Sequence, residues 1–77
     1  MTQVKIEKEI AEDLINSKLR VLQQYVDRIL NRWNESSAEI FLVKARSGVH
    51  KNAEEDAVEL RQLLLDLKKF QDLLKKL

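Results

Sequence analysis

The chain has 77 residues, which is enough for one small domain and too few for a second hydrophobic core. Apolar residues make up 44% of it and charged residues 35%, with one glycine and no proline, a composition typical of helical rather than disordered proteins. The net charge of +1 excludes a strong overall attraction to DNA or to an anionic membrane, and the absence of cysteine excludes disulfide bonds.

The start of the chain leaves two interpretations open. Residues 2–6 alternate polar and apolar side chains, so Val4 and Ile6 could form a short strand, or the segment could be flexible like a frayed first helical turn. A firmer helical pattern covers residues 7–33, where apolar side chains recur at steps of four and three. This stripe consists of Ile15, Leu19, Leu22, Val26, Ile29 and Trp33.

A short second helix is predicted after a connector at residues 34–37. Ser36 and Glu39 have the spacing of a capping box, in which the serine hydroxyl and the glutamate carboxylate each bind a free backbone N–H. This spacing predicts a helix over residues 37–46. Gly48 then stands where the end of a helix favours a left-handed residue.

A third helix is predicted after a second connector at residues 47–52. Asn52 and Glu55 repeat the capping-box spacing, and the helical pattern continues to Leu77. Its apolar stripe is wider than one neighbouring helix can cover. The stripe contains Leu60, Leu63, Leu64, Leu67, Phe70, Leu74 and Leu77, and Leu65 and Leu73 widen it further.

These elements predict an all-α fold in which residues 1–77 form a single domain. The order is long helix, short helix, long helix, with the two long helices forming an antiparallel hairpin. A core in a chain of this size rarely contributes more than about 3–5 kcal/mol to stability. Because the third helix has surplus apolar surface, we expect the hairpin to form a homodimer or a higher oligomer, as a helical bundle.

Few residues are candidates for catalysis or metal binding. His50 is the only histidine, and a solvated loop side chain is its simplest interpretation, with a metal half-site beside Glu54 or Glu55 as the alternative. Glu54, Glu55, Asp56 and Glu59 form a cluster of acidic residues at the start of the third helix. Acidic residues in this position complement the helix dipole, which accounts for the cluster. The sequence therefore predicts no enzyme, no catalytic residue, no metal site and no cofactor.

The short helix carries the best candidate for a binding surface. Ile40, Phe41, Leu42 and Val43 follow one another, and no single helix face buries four consecutive side chains. We expect some of these residues to pack on the core and the others to contact a second subunit or an external partner. The predicted function is a non-enzymatic module for protein interaction and oligomerisation.

The alternative is a small DNA-binding transcriptional regulator. A strand at residues 2–6 followed by helices is similar to the arrangement of ribbon-helix-helix repressors, in which paired strands enter the major groove. Lys5 is the only basic residue in this segment, and the net charge is near zero, so nucleic acid is not the expected partner.

The expected location is the cytoplasm. The longest uninterrupted apolar run, residues 40–43, is far too short to cross a bilayer, and no apolar run of signal-peptide length stands near the N-terminus. Residues 60–77 are basic and amphipathic, as in surface-binding helices, but Asp66 and Asp72 dilute the positive face. A membrane is therefore not an expected partner.

Residues 37–65 read SAEIFLVKARSGVHKNAEEDAVELRQLLL and combine a serine-capped short helix, a glycine and an acidic start to a leucine-rich helix. This segment resembles small uncharacterised prokaryotic proteins that are similar in size and layout to antitoxins of toxin–antitoxin pairs, in which helices wrap a partner toxin. The residues that carry the resemblance are Ser37, Gly48, Glu54, Glu55, Asp56 and Leu60. The resemblance implies an antitoxin-like function with a toxin protein as partner, and it assigns no functional residue.

Overall fold

The computed structural model describes the backbone of residues 2–77 and the side-chain surroundings of residues 7–77. It has three helices, α1 (Thr2–Arg32), α2 (Ala38–Ser47) and α3 (Glu54–Lys75). The predicted all-α order of long, short and long helix is confirmed. Two connectors, residues 33–37 and 48–53, join the helices within a residue of their predicted positions.

The sequence left residues 2–6 open between a short strand and a flexible first turn, and in the structure these residues belong to α1, which begins at Thr2. A lone strand would leave its backbone N–H and C=O groups without a neighbouring strand, whereas a helix pairs these groups within the segment. A five-residue alternation is also too short to distinguish the two structures.

The long helices α1 and α3 pack together and run in opposite directions. Arg32 at the end of α1 contacts Asp56 at the start of α3, and further along, Leu19 and Leu67 line the same depression. At about 1.5 Å per residue, α1 is about 46 Å long and α3 about 33 Å, so the start of α1 extends past the end of α3. The molecule is accordingly elongated, 56 × 18 × 17 Å.

The core lies between the three helices. The predicted α1 stripe provides its buried centre, while Leu19 and Trp33 are partly buried at its margins. Leu64 and Phe70 of the wide α3 stripe are partly buried against the core, whereas Leu65, Leu73 and Leu77 of the same stripe stay exposed. The buried apolar residues are Leu22, Val26, Ile29, Leu30, Phe41, Ala53, Ala57, Leu60, Leu63 and Leu67.

Local signals set both ends of α2. Its N-cap is Ser37 rather than the predicted Ser36, and the Ser37 hydroxyl accepts a hydrogen bond from the backbone N–H of Ile40. At the other end Gly48 has a φ of 84°, as predicted, and its N–H and that of Val49 both donate to the Lys44 carbonyl. Adjacent serines offer the same capping chemistry, so the sequence placed the start of α2 one residue early.

The start of α3 differs from the predicted capping box. Asn52 is not the N-cap; its φ of 61° places it in the left-handed region, which asparagine tolerates better than most residues. Ala53 precedes the helix and forms no side-chain capping bond, but it is buried in the core. The predicted capping hydrogen bond is therefore absent from the start of α3, and Ala53 packs in the core there.

Within residues 2–77, none of the three helices combines the length and hydropathy needed to cross a membrane.

Candidate partner-binding surface on α2

The four consecutive apolar residues of α2 divide between the core and the surface. Phe41 is completely buried, and Leu42 is partly buried against the core. Ile40 and Val43 remain 51% and 61% exposed. Of the predicted binding residues, only Ile40 and Val43 are therefore available to a partner, because one side of α2 already packs on the hairpin.

An aromatic cluster fixes the inner side of α2. The rings of Trp33, Phe41 and His50 contact one another, with centroid distances of 5.8 Å between Trp33 and Phe41, 5.2 Å between Trp33 and His50, and 5.7 Å between Phe41 and His50. The expectation that His50 is a solvated loop residue is wrong. The left-handed turn at Gly48 brings the chain back over Phe41, so the imidazole packs in the cluster.

A polar pair lies beside this cluster. The Lys44 ammonium donates a 2.8 Å hydrogen bond to Glu35 Oε1, and His50 Nε2 lies 3.6 Å from the same oxygen. Hydrogen bonding by Lys44 lowers the pKa of Glu35 below its ordinary value, and the neighbouring His50 acts in the same direction. The pair connects α2 to the connector before it, and so limits how far α2 can rotate about its axis.

A second polar contact joins α1 to the start of α3. The Arg32 guanidinium donates to both Asp56 oxygens, at 2.9 and 2.8 Å, and the Trp33 indole N–H donates to Oδ2 at 2.7 Å. Asp56, in the first turn of α3, therefore holds Trp33 in the aromatic cluster. Among the described residues, no three His, Cys, Asp or Glu side chains are arranged to hold a metal ion.

Neither polar contact was found from the sequence. Glu35 and Lys44 are nine residues apart across a connector, and Trp33 and Asp56 are 23 apart, so neither pair has helical i,i+4 spacing. The one signal in the sequence is that Glu35 lies in a connector, two residues after Trp33. This position alone does not identify Lys44 as the residue that pairs with Glu35.

The outer side of α2 forms a shallow apolar depression of about 340 Å³. It is lined by Ile40 and Val43, with Glu39 and Lys44 beside them. Residues three apart are neighbours on a helix surface, so the two aliphatic side chains form one small patch. We call this patch, Ile40 with Val43, the α2 face.

A larger depression of about 720 Å³ lies between α1 and α3, away from α2. It is open, and its lining is mainly polar. The lining residues are Asp13, Asn16, Ser17, Leu19, Arg20, Gln23, Leu67 and Gln71. Because only Leu19 and Leu67 among its lining residues are apolar, this depression offers little surface for an apolar anchor.

No protein-family model, no curated protein and no solved structure matches this chain.

Proposed function

We propose that this chain is a non-enzymatic protein-interaction module and that the α2 face binds a partner protein. The observation that carries the proposal is the exposure of Ile40 and Val43 on a helix whose opposite side is held by buried contacts. Transfer of such aliphatic surface from water to a partner is favourable, and a fixed orientation lowers the entropic cost of binding.

The side chains on and around the α2 face indicate which groups a partner protein would need in order to bind there. The depression is large enough for one or two aliphatic or aromatic side chains, which a partner helix could supply at neighbouring positions. Lys44 is already paired with Glu35, whereas the exposed Glu39 carboxylate stands at the rim. A partner with an apolar anchor and a nearby lysine or arginine complements this arrangement.

The more specific form of the proposal is an antitoxin-like role with a toxin protein as partner. Its support is the resemblance of residues 37–65, a segment that includes all of α2 and the start of α3. The first partner to test is the product of the adjacent gene.

The DNA-binding alternative depended on a strand at residues 2–6. Since these residues belong to α1, that alternative loses the element that would enter the major groove. No other observation favours it, so we do not propose it.

The proposal is tested with two matched variants. Val43→Asp places a charge on the α2 face, and Leu65→Asp places one on α3 at a residue of nearly equal exposure, 64%. In titration calorimetry with the purified product of the adjacent gene, we expect Val43→Asp to weaken binding at least about 30-fold, as for an interface hot spot. Leu65→Asp should bind like wild type, and both variants should keep the wild-type helical circular dichroism.

The results separate the two forms of the proposal. Failure of the adjacent gene product to bind wild type contradicts the antitoxin-like form. Capture from extract of the source cells then tests the general form, which requires a protein retained by wild type and Leu65→Asp but not by Val43→Asp. Absence of any such protein contradicts the interaction module itself.

A further inference from the structure

A row of exposed apolar side chains follows α1 on a side that the hairpin does not use. Ile10, Leu14, Val21 and Tyr25 are each at least 40% exposed. At about 100° of rotation per residue, the four lie within an arc of about 60°. The centre of this arc is about 120° from the buried face of α1, so α3 cannot cover it.

The row is symmetric along the helix. Ile10 and Tyr25 are equally far from the midpoint between Ser17 and Lys18, and so are Leu14 and Val21. If a second copy of α1 lies antiparallel about a twofold axis at this midpoint, each residue of the row meets its counterpart at the same height. A twofold interface requires this kind of self-complementary surface.

The distribution of charge along α1 also favours an antiparallel pair. Residues 7–17 carry a net charge of −3, and residues 18–32 carry a net charge of +3. An antiparallel pair therefore places the acidic half of each helix against the basic half of the other, whereas a parallel pair places like charges together.

The ends of the row supply a specific ion pair. Glu7 and Arg28 are also equally far from the midpoint, and both lie on the same side of α1 as the row. The Arg28 guanidinium carbon lies 5.3 Å from the centre of the Tyr25 ring, which keeps the charge on that side.

We propose that two copies of this chain associate through α1, antiparallel, with the twofold axis between Ser17 and Lys18. Ile10 then packs beside the partner's Tyr25, Leu14 packs beside the partner's Val21, and Glu7 pairs with the partner's Arg28. The α2 face lies on another helix, so the dimer does not depend on the proposed binding of a partner protein.

The size of the contact sets the strength of the association. The paired segment, residues 7–28, is about 33 Å long and about 10 Å wide, the width of one helix. Its contact area is therefore small compared with the roughly 800 Å² that each partner buries in a typical stable interface. We expect a dimer at about 100 µM protein and mostly monomer at about 1 µM. Because opposite charges contribute, raising the salt from about 0.05 M to 0.5 M should shift the equilibrium toward monomer.

Sedimentation equilibrium over this concentration range tests the dimer with two matched variants. Leu14→Asp changes a residue of the row that is 67% exposed, and Leu65→Asp changes a residue of equal character on α3 that is 64% exposed. Leu14→Asp should be monomeric at all concentrations and keep the wild-type helical signal, while Leu65→Asp should dimerise like wild type. A monomeric wild type at 100 µM and low salt, or equal loss of dimer in both variants, overturns the proposal.

A charge exchange tests the antiparallel direction. Glu7→Arg and Arg28→Glu should each weaken the dimer several-fold, because each puts like charges together across the twofold axis. The double variant restores two opposite-charge pairs in an antiparallel dimer and should recover the wild-type dissociation constant. In a parallel dimer each residue would face its own copy, so like charges would oppose each other in wild type and in every variant, and the single variants would not weaken the dimer. Single variants that dimerise like wild type, or a double variant that does not recover, overturn the proposed arrangement.

Discussion

The two ends of the hairpin differ in how their side chains are held. At the connector end, α2 and both connectors enclose the aromatic cluster of Trp33, Phe41 and His50, with polar contacts at Glu35 and Asp56 beside it. Among the described side chains, no residue before Leu22 on α1 or after Leu67 on α3 is buried. The open end instead presents exposed apolar residues and a polar depression.

This difference concentrates the stabilising contacts at one end of the hairpin. Burial and paired polar groups at the connector end fix the orientation of α2, so stability should be most sensitive to substitution there. The open end contributes little to the core, and the exposed row on α1 runs from this end to Tyr25, on a side of the helix that faces away from α3. The following substitutions test this comparison.

The largest effect is expected from Phe41→Ala. Removing a completely buried aromatic side chain should lower the free energy of unfolding by about 3–5 kcal/mol, which is comparable with the whole stability expected for so small a domain. Chemical denaturation followed by circular dichroism measures the change. Leu73→Ala at the open end is the control and should change stability by no more than about 0.5 kcal/mol. Equal losses would mean that the core does not favour the connector end.

Asp56→Ala should have an intermediate effect, about 1–3 kcal/mol. The substitution removes the acceptor of the Trp33 indole N–H and of the Arg32 guanidinium, and leaves the partly buried indole N–H unpaired. Glu55→Ala is the matched control because both residues lie in the first turn of α3, where loss of an acidic group weakens the interaction with the helix dipole equally. A larger loss for Glu55→Ala in urea denaturation would contradict the structural role of Asp56.

Gly48→Val should destabilise the chain by about 1 kcal/mol or more. No atom lies within 4 Å of the position that a Cβ would occupy, so the penalty arises from the left-handed backbone rather than from a clash. Ser47→Ala, next to it, should cost only a few tenths of a kcal/mol, since its exposed hydroxyl donates only to the Lys44 carbonyl. Thermal unfolding of the two variants should show a clearly lower Tm for Gly48→Val, and similar values would contradict the left-handed end of α2.

The smallest effect concerns Glu35 and depends on pH. Because Lys44 lowers the pKa of Glu35 in the folded chain, the ionised carboxylate stabilises the fold above the ordinary value of 4.5. That contribution is lost as the pH falls below 4.5 through the lowered pKa. Glu35→Gln should therefore have a lower Tm than wild type at pH 7, and the difference should shrink as the pH falls below 4.5. The exposed Glu39→Gln serves as a control, and a difference that grows toward low pH would contradict the assignment.

The amino-acid sequence by itself determined the helices and much of the core. Regular spacing of apolar residues from Leu19 to Trp33 and the single glycine at Gly48 were enough to predict an all-α chain, the buried side of α1 and the end of α2. These features depend on residues within about one helical turn of each other, and such interactions are visible in the order of the amino acids.

Only the tertiary structure decided which side of α2 faces the core. The rotation of α2 buries Phe41 and leaves Ile40 and Val43 exposed, and it depends on contacts of Glu35 with Lys44 and of Trp33 with Asp56 across the connectors. The environment of His50 was decided in the same way, by the turn that returns the chain over Phe41. These residues are far apart in the sequence and come into contact because the connectors place the helices side by side. No local spacing of amino acids predicts such contacts.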